Sequence, residues 1–119
     1  MMQAGTYYIG DLCYVMGDEE WDEFFEELLD DGEHVLSDGR RVASYRTMYG
    51  DGVYESNTGA SLGVDAGLIG CIKLEDIKGE FSLVELAELG TVVRFAEPFT
   101  TDSTDGTIRF GHVIVPTAV

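Results

Sequence analysis

The stretch that decides the fold is YGDGVYESNTGASLGVDAGLIGC, residues 49–71. It contains six glycines, and the runs between them are short and rich in apolar, aromatic and small residues. Glycine adopts positive φ without steric cost, so this spacing is typical of strands joined by tight turns. We therefore expect a compact antiparallel meander with turns at residues 57–59 and 65–67. The three predicted strands are residues 53–56, 60–64 and 68–73.

The same stretch contains a G-x-S-x-G pattern centred on Ser61, which also surrounds the nucleophile of α/β-hydrolases. That nucleophile lies between a strand and a helix, whereas Ser61 is followed by a strand-like run and a turn. Asp65 or Asp102, and then His112, complete the chain order of a catalytic triad, but chance supplies this order easily. We expect His112 to lie on the buried face of its strand. A hydrolase is the least favoured interpretation.

A phosphate-binding loop is also disfavoured at Gly50-Asp51-Gly52, because the segment lacks the Lys and the following helix of such loops. The concentration of aromatic and carboxylate groups is nevertheless high for plain turns. It leaves open an alternative function as a small-ligand or divalent-metal-binding module, although the spacing does not match a calcium loop. We assign no catalytic residue, no metal ligand and no cofactor. The alternative ligand-binding residues are Tyr49, Asp51, Tyr54, Glu55 and Asp65.

Two helices are predicted. In GDEEWDEFFEELLDDG, residues 17–32, the apolar positions follow the i, i+3, i+4, i+7, i+8 spacing of an amphipathic helix. We expect this helix over about residues 18–31, anchored on a sheet. A capping box at Ser82 and Glu85 predicts a short second helix over about residues 82–89. The predicted anchors of the first helix are Trp21, Phe24, Phe25, Leu28 and Leu29.

The remaining chain reads as strands and turns. We expect strands at residues 6–9 and 12–16, a type I′ hairpin turn at Asp38-Gly39, and a loop at residues 101–105 before a turn at Asp105-Gly106. The whole is predicted to be one α+β, mainly β domain over residues 1–119. Its architecture is about seven antiparallel strands in a curled sheet or a partly open barrel, with the first helix laid across them.

Charge is the strongest functional clue. The chain has 23 acidic and 7 basic residues and a net charge of −16, and residues 1–39 hold 12 of the acidic residues and no Lys or Arg. This field repels nucleic acid and anionic membranes and attracts basic surfaces. Because neither a membrane span nor a signal peptide is visible, we expect a cytoplasmic protein. Cys13 and Cys71 are expected to be buried free thiols.

The polar face of the first helix consists of carboxylates in i, i+4 ladders, which oppose helix formation. Three interpretations remain: a solvated face of an acidic protein, a docking surface for a basic partner, or diffuse cation binding. In its sharpest form, the docking surface mimics nucleic-acid phosphates and occupies a host protein's DNA- or RNA-binding channel. We favour docking, and hence binding rather than enzymatic turnover. The predicted partner-binding residues are Glu19, Glu20, Glu23, Glu26, Glu27, Asp30 and Asp31.

Several segments together resemble a group of small, uncharacterised proteins of phages and bacteria. They are YYIGDLCYV with EEWDEFF, YGDGVY, VDAGLIGCI and the closing IRFGHVIV. The similarity covers most of the chain, from Tyr7 to about Val115. It implies a phage or mobile-element context and no catalytic residues. Small acidic proteins that block host nucleases or other DNA-binding proteins are common in that context, so the resemblance favours the docking hypothesis.

Overall fold

The computed structural model describes residues 1–28 and 30–118, so the predicted anchor Leu29 lies outside the described residues. Single turns of 3-10 helix occur at Leu12–Tyr14 and Leu74–Asp76. The other elements, in chain order, are β1 (Gly5–Gly10), α1 (Asp18–Leu28), β2 (Gly32–Val35), β3 (Arg41–Arg46), β4 (Gly52–Glu55), β5 (Ser61–Val64), β6 (Leu68–Lys73), α2 (Leu83–Leu89), β7 (Thr91–Phe95), β8 (Thr101–Thr104), β9 (Thr107–Phe110) and β10 (Val113–Pro116).

A five-stranded antiparallel sheet with the order β2-β3-β6-β1-β7 forms the centre of the molecule. Successive side chains of a strand point to opposite faces, and the central strands are apolar on both. In β1, Tyr7 and Ile9 face one core while Tyr8 between them faces the other. The sheet is therefore covered on both sides and separates two hydrophobic clusters.

The two helices cover one face of this sheet. Phe24 and Leu28 of α1 are each 1% exposed and pack with Leu86 of α2 in the same cluster. Full burial of a side chain of this size contributes roughly 1.5–3 kcal/mol, so these two residues hold α1 on the sheet. The N-terminus of α2 carries the predicted capping box between Ser82 and Glu85, which confirms the second helix.

The other face is covered by a two-stranded sheet, β4-β5, and a three-stranded sheet, β10-β9-β8. Asn57 joins them, because its side chain donates to the carbonyl of His112 and accepts from the backbone N–H of Ile114, both at 2.8 Å. Tyr54 and Leu62 of the two-stranded sheet pack in one hydrophobic cluster with Phe110 of the three-stranded sheet.

The α+β, mainly β, antiparallel fold class is confirmed. The three strands expected at residues 53–56, 60–64 and 68–73 are confirmed as β4, β5 and β6, with small shifts at the ends. The predicted meander was wrong, because β4 and β5 pair only with each other, whereas β6 pairs with β1 and β3 in the central sheet. The count of strands was wrong, since ten form within the described ranges. They belong to three sheets that are not closed into a barrel.

Two local predictions are corrected. Residues 12–16 form no strand, because Asp11 is the N-cap of the 3-10 helix and its Oδ1 accepts the Cys13 N–H at 3.0 Å. Residues 101–105 are no loop, because Thr101–Thr104 is β8, paired with β9. The alternating Thr and Ser of β8 are half-buried, so this strand carries little apolar signal.

The two Asp-Gly pairs form different turns. A type I′ turn needs positive φ at both central residues. Asp105 (φ 52°) and Gly106 (φ 80°) meet this requirement between β8 and β9. At the other pair only Gly39 has positive φ (93°), and its N–H donates to the Leu36 carbonyl across a three-residue loop. The type I′ prediction for Asp38-Gly39 was therefore wrong, although the hairpin itself is confirmed.

Helix α1 ends at Leu28, earlier than the predicted residue 31. The Leu28 carbonyl accepts a buried hydrogen bond of 2.9 Å from the hydroxyl of Ser44 in β3. Strand β2 then begins at Gly32, whose φ of 135° is accessible to glycine. Asp30 and Asp31 consequently lie in the connection after the helix.

Candidate functional site: the acidic face of α1

Five carboxylates of α1 are exposed on one side of the helix, and we call this surface the acidic face. Successive residues of an α-helix are turned by about 100°, which places these side chains opposite the buried Phe24 and Leu28. Within residues 1–28 and 30–118, none of the five has a cationic partner within 4.0 Å. The residues of the acidic face are Asp18, Glu19, Asp22, Glu23 and Glu26.

One edge of the helix is neutralised. Glu20, which was predicted to face outward, has a side chain only 13% exposed, and its Oε2 lies 2.8 Å from Nη2 of Arg40 and 3.8 Å from Nζ of Lys78. The Arg40 guanidinium also stacks over the Phe24 ring, 5.3 Å from its centroid. Glu27 is half-buried and accepts a long hydrogen bond from the Ser37 hydroxyl. Glu20 and Glu27 therefore do not belong to the acidic face.

The opposite edge is aromatic. Trp21 is half-buried, whereas Phe25, predicted as an anchor, is 38% exposed, so its prediction was wrong. The two rings lie 5.6 Å apart on adjacent helical turns. They are flanked by the carboxylates of Asp18 and Asp22. Large aromatic side chains next to unpaired charge are typical of the anchor residues of protein interfaces.

The last two predicted partner residues lie beyond the helix. Asp30 is exposed, and its backbone carbonyl contacts Nε2 of His34 at 2.6 Å. The Asp31 carboxylate accepts the Arg46 N–H at 2.8 Å and lies 3.5 Å from the Arg46 side chain. Asp31 is thus partly compensated, and Asp30 extends the exposed negative charge past the end of α1.

The helix dipole explains part of the acidic face but not all of it. Carboxylates in the first turn, such as Asp18 and Glu19, are stabilised by the positive helix N-terminus. Asp22, Glu23 and Glu26 lie further along, where that effect has fallen off. Asp18/Asp22, Glu19/Glu23 and Asp22/Glu26 are like-charge i, i+4 pairs, each of which costs about 0.2–0.5 kcal/mol.

The predicted set of partner-binding residues left out two members of this surface, Asp18 and Asp22. The signal was available, because a 100° projection of residues 18–28 puts both next to Glu26. The paired state of Glu20 could not be seen in the sequence, because Arg40 comes from the loop between β2 and β3. The exposure of Phe25 follows from the same projection, at the edge of the apolar stripe.

The residues of the alternative ligand site are only partly brought together, since Tyr54 and Glu55 share a cleft that the other three do not line. Tyr49 is 68% exposed, while Tyr54 is 8% exposed and its hydroxyl donates to the Gly50 carbonyl at 2.9 Å. Glu55 lies at the far end of β4, where it and Tyr54 line a shallow cleft of about 470 Å³ together with Asn57 and Pro116. Asp51 and Asp65 lie toward the other end of the hairpin. These five side chains do not form one site.

Asp65 belongs to a different arrangement. Its carboxylate accepts the Tyr14 hydroxyl at 2.5 Å, and this hydrogen bond, with burial, raises the pKa of Tyr14. Next to it, burial and the hydrogen bond with Asp11 raise the pKa of the Cys13 thiol to about 12. Burial likewise raises the pKa of Cys71 to about 12. Both cysteines are free, but only Cys71 is buried as expected, whereas Cys13 is half-buried. Both remain protonated, and hence poorly nucleophilic, at neutral pH.

The hydrolase pattern has no supporting geometry in the described part of the chain. Ser61 begins β5 opposite Glu55 and is not followed by a helix. His112 is exposed in the turn between β9 and β10, where its ring lies 5.3 Å from that of Phe95. The prediction of a buried His112 was wrong, because Gly111 (φ 58°) ends β9 and turns the chain.

Among residues 1–28 and 30–118, no helix combines the length and apolarity needed to cross a membrane. In the same ranges, no three His, Cys, Asp or Glu side chains are grouped so that they could hold a metal ion. No protein-family model matches the chain, and neither a curated protein nor a solved structure is significantly similar to it.

Proposed function

We propose that this protein is a binding protein that docks on a basic partner through the acidic face of α1. The observation that carries the proposal is that Asp22, Glu23 and Glu26 are exposed, unpaired with any cation in the described chain, and placed where neither the helix dipole nor the core requires them. The approach of a positively charged surface to these carboxylates is electrostatically favourable.

The adjoining Trp21–Phe25 pair supports docking over a merely solvated face. A solvated face needs no exposed aromatic side chain, whereas interfaces combine an aromatic anchor with a charged surround. Phe25 offers its exposed edge beside the acidic face, and Trp21 supports it from the core side. The same pair argues against diffuse cation binding, because that function does not require an exposed aromatic side chain.

The spacing of the charges favours the nucleic-acid mimic as the form of this function. From Asp18 to Glu26 the helix rises by about 12 Å and presents five carboxylates, or one for about every 3 Å. One strand of DNA carries a phosphate for about every 3.4 Å of axis. We infer that the partner is a cytoplasmic protein whose own surface binds nucleic acid, in agreement with the phage-type resemblance of the sequence.

The test is capture from a bacterial lysate by the immobilised wild type and by an acidic-face variant with Asp22→Lys, Glu23→Lys and Glu26→Lys. We expect the wild type to retain a basic protein at low salt and to release it at high salt, because exposed charges are screened. The variant is expected to retain none of it. Duplex DNA added to the loaded wild type should release the partner if both occupy the same surface.

A matched control has the same charge but alters other exposed carboxylates: Glu80→Lys, Glu88→Lys and Glu97→Lys. Each reversal adds two positive charges, so both triple variants carry a net charge of −10 instead of −16. The control is expected to capture the partner as the wild type does. Equal capture by the acidic-face variant and the control would mean that net charge, and not this surface, attracts basic proteins.

A further inference from the structure

A pocket of about 390 Å³ lies at one end of the central sheet, between the turn after β2 and the 3-10 helix after β6. Tyr7 lies opposite Lys73 in the pairing of β1 with β6. Arg41 directly precedes Val42, which pairs with Ile72 of β6, so Arg41 lies next to Lys73 on the side away from Tyr7. These three side chains form a row across one face of the sheet. Asp38, Arg40, Glu75, Asp76 and Gln3 surround the row.

The charged side chains around the pocket comprise three cations and three anions, and two pairs are already formed. Nε of Arg40 lies 2.8 Å from Oδ2 of Asp38. Nζ of Lys73 lies 3.6 Å from Oε1 of Glu75 and donates to Oε1 of Gln3 at 2.8 Å. The two charged side chains left without an ion-pair partner in the described ranges are Arg41 and Asp76.

Arg41 and Asp76 act on the same part of the pocket. Burial is the main reason that the pKa of Tyr7 is raised to about 12; Cys71 and Asp76 raise it further, and Arg41 opposes them. Tyr7, Arg41 and Asp76 all line the pocket, and the Tyr7 hydroxyl donates to the Gln3 carbonyl at 2.8 Å. Asp76 is partly desolvated, and burial followed by the charge of Glu75 raises its pKa. A cation that enters the pocket would stabilise the charged form of this carboxylate.

We propose that this pocket binds a small zwitterion of the amino-acid type, with its carboxylate on the guanidinium of Arg41 and its ammonium group on the carboxylate of Asp76. The planar fork of a guanidinium matches a carboxylate in two parallel hydrogen bonds. A ligand with a single charge satisfies one of the two side chains and is repelled by neither pair already formed. A zwitterion satisfies both, and the volume lies within the range of small-molecule sites.

The test is an NMR titration of the ¹⁵N-labelled protein with each common amino acid and with the series glycine, β-alanine, 4-aminobutyrate and 6-aminohexanoate, which varies the charge separation. At least one zwitterion is expected to shift the amide signals of Tyr7, Arg41 and Asp76. The amine and the carboxylic acid that each lack one charge of that ligand should bind about tenfold more weakly or worse. The absence of saturable shifts with every zwitterion, or equal binding of a single-charge analogue, would overturn the proposal.

Arg41→Gln and Asp76→Asn test the two contacts separately. Each is expected to weaken binding about tenfold, since each removes one charge-assisted contact from the ligand. Arg94→Gln, an exposed substitution on β7, is the matched control and should leave the affinity unchanged. Thermal unfolding of all three confirms that they fold. Unchanged affinity in both pocket variants would show that the ligand lies elsewhere.

Discussion

At the scale of single residues, Asp11 determines the local structure around it. It is fully buried, and its carboxylate accepts three backbone N–H groups, from Cys13 at 3.0 Å, Asp65 at 2.7 Å and Ala66 at 2.6 Å. One side chain thus caps the 3-10 helix and fixes the turn between β5 and β6. The sequence Gly10-Asp11 is typical of a turn, but two of the three partners of its carboxylate, Asp65 and Ala66, lie more than fifty residues away and could not be predicted.

We expect Asp11→Asn to lower the free energy of unfolding by about 2–3 kcal/mol, because an amide NH₂ then faces at least one buried N–H donor. Urea unfolding followed by circular dichroism measures this value. Asp51→Asn, at an exposed carboxylate, is the control and should change stability by less than about 0.5 kcal/mol. Equal stabilities of the two variants would show that Asp11 contributes no more than a surface residue.

At the scale of elements, the sequence predicted those whose determinants are local. The apolar spacing of α1, the capping box of α2 and the glycine-separated strands β4 to β6 are all confirmed. The end of α1 was missed because Ser44, from β3, takes the Leu28 carbonyl. The membership of the acidic face was partly wrong for the same reason, since Arg40 withdraws Glu20 from it.

The like-charge pairs of α1 lead to a prediction about the acidic-face variant with Asp22→Lys, Glu23→Lys and Glu26→Lys. The new lysines at positions 22 and 23 form attractive i, i+4 pairs with Asp18 and Glu19, and each favourable pair contributes about 0.2–0.5 kcal/mol. The variant should therefore unfold at the same urea concentration as the wild type or at a higher one. Clear destabilisation would mean that these carboxylates serve the fold, and loss of binding could then not be assigned to recognition.

At the scale of the whole molecule, the order of the strands in the sheets could not be predicted from the sequence. Hairpins such as β8–β9 follow from their own turns, but β1 lies between β6 and β7, which are more than fifty residues away. Which elements cover each face of the central sheet depends on contacts between side chains distant in sequence, such as those of Tyr7 with Phe95 and Phe99. The joining of Asn57 to β10 is equally non-local.

The raised pKa values of two thiols and one phenol predict an alkaline limit to stability. The folded pKa of Cys13 and of Cys71 is raised from 9.0 to about 12, and that of Tyr7 from 10.0 to about 12. Between these values the unfolded chain loses protons that the folded chain keeps. This stabilisation is therefore complete below about pH 9 and is lost as the pH rises toward about 12.

Urea unfolding at a series of pH values checks this expectation, with a plateau near neutral pH and a fall in the free energy of unfolding above about pH 9. A Cys13→Ala, Cys71→Ala variant is the control, and its stability should fall less steeply over the same range. A flat profile up to about pH 11 in the wild type would contradict the assigned shifts.

The central claim, recognition through the acidic face, is tested most directly at Trp21, the single tryptophan of the chain. Protein labelled with 5-fluorotryptophan gives one ¹⁹F signal from the edge of this face, beside Phe25. Adding the purified captured partner should shift or broaden that signal at low salt, in the wild type and in the Glu80, Glu88, Glu97 control, but not in the acidic-face variant. A partner that binds the wild type tightly while the Trp21 signal stays unchanged would contradict the claim.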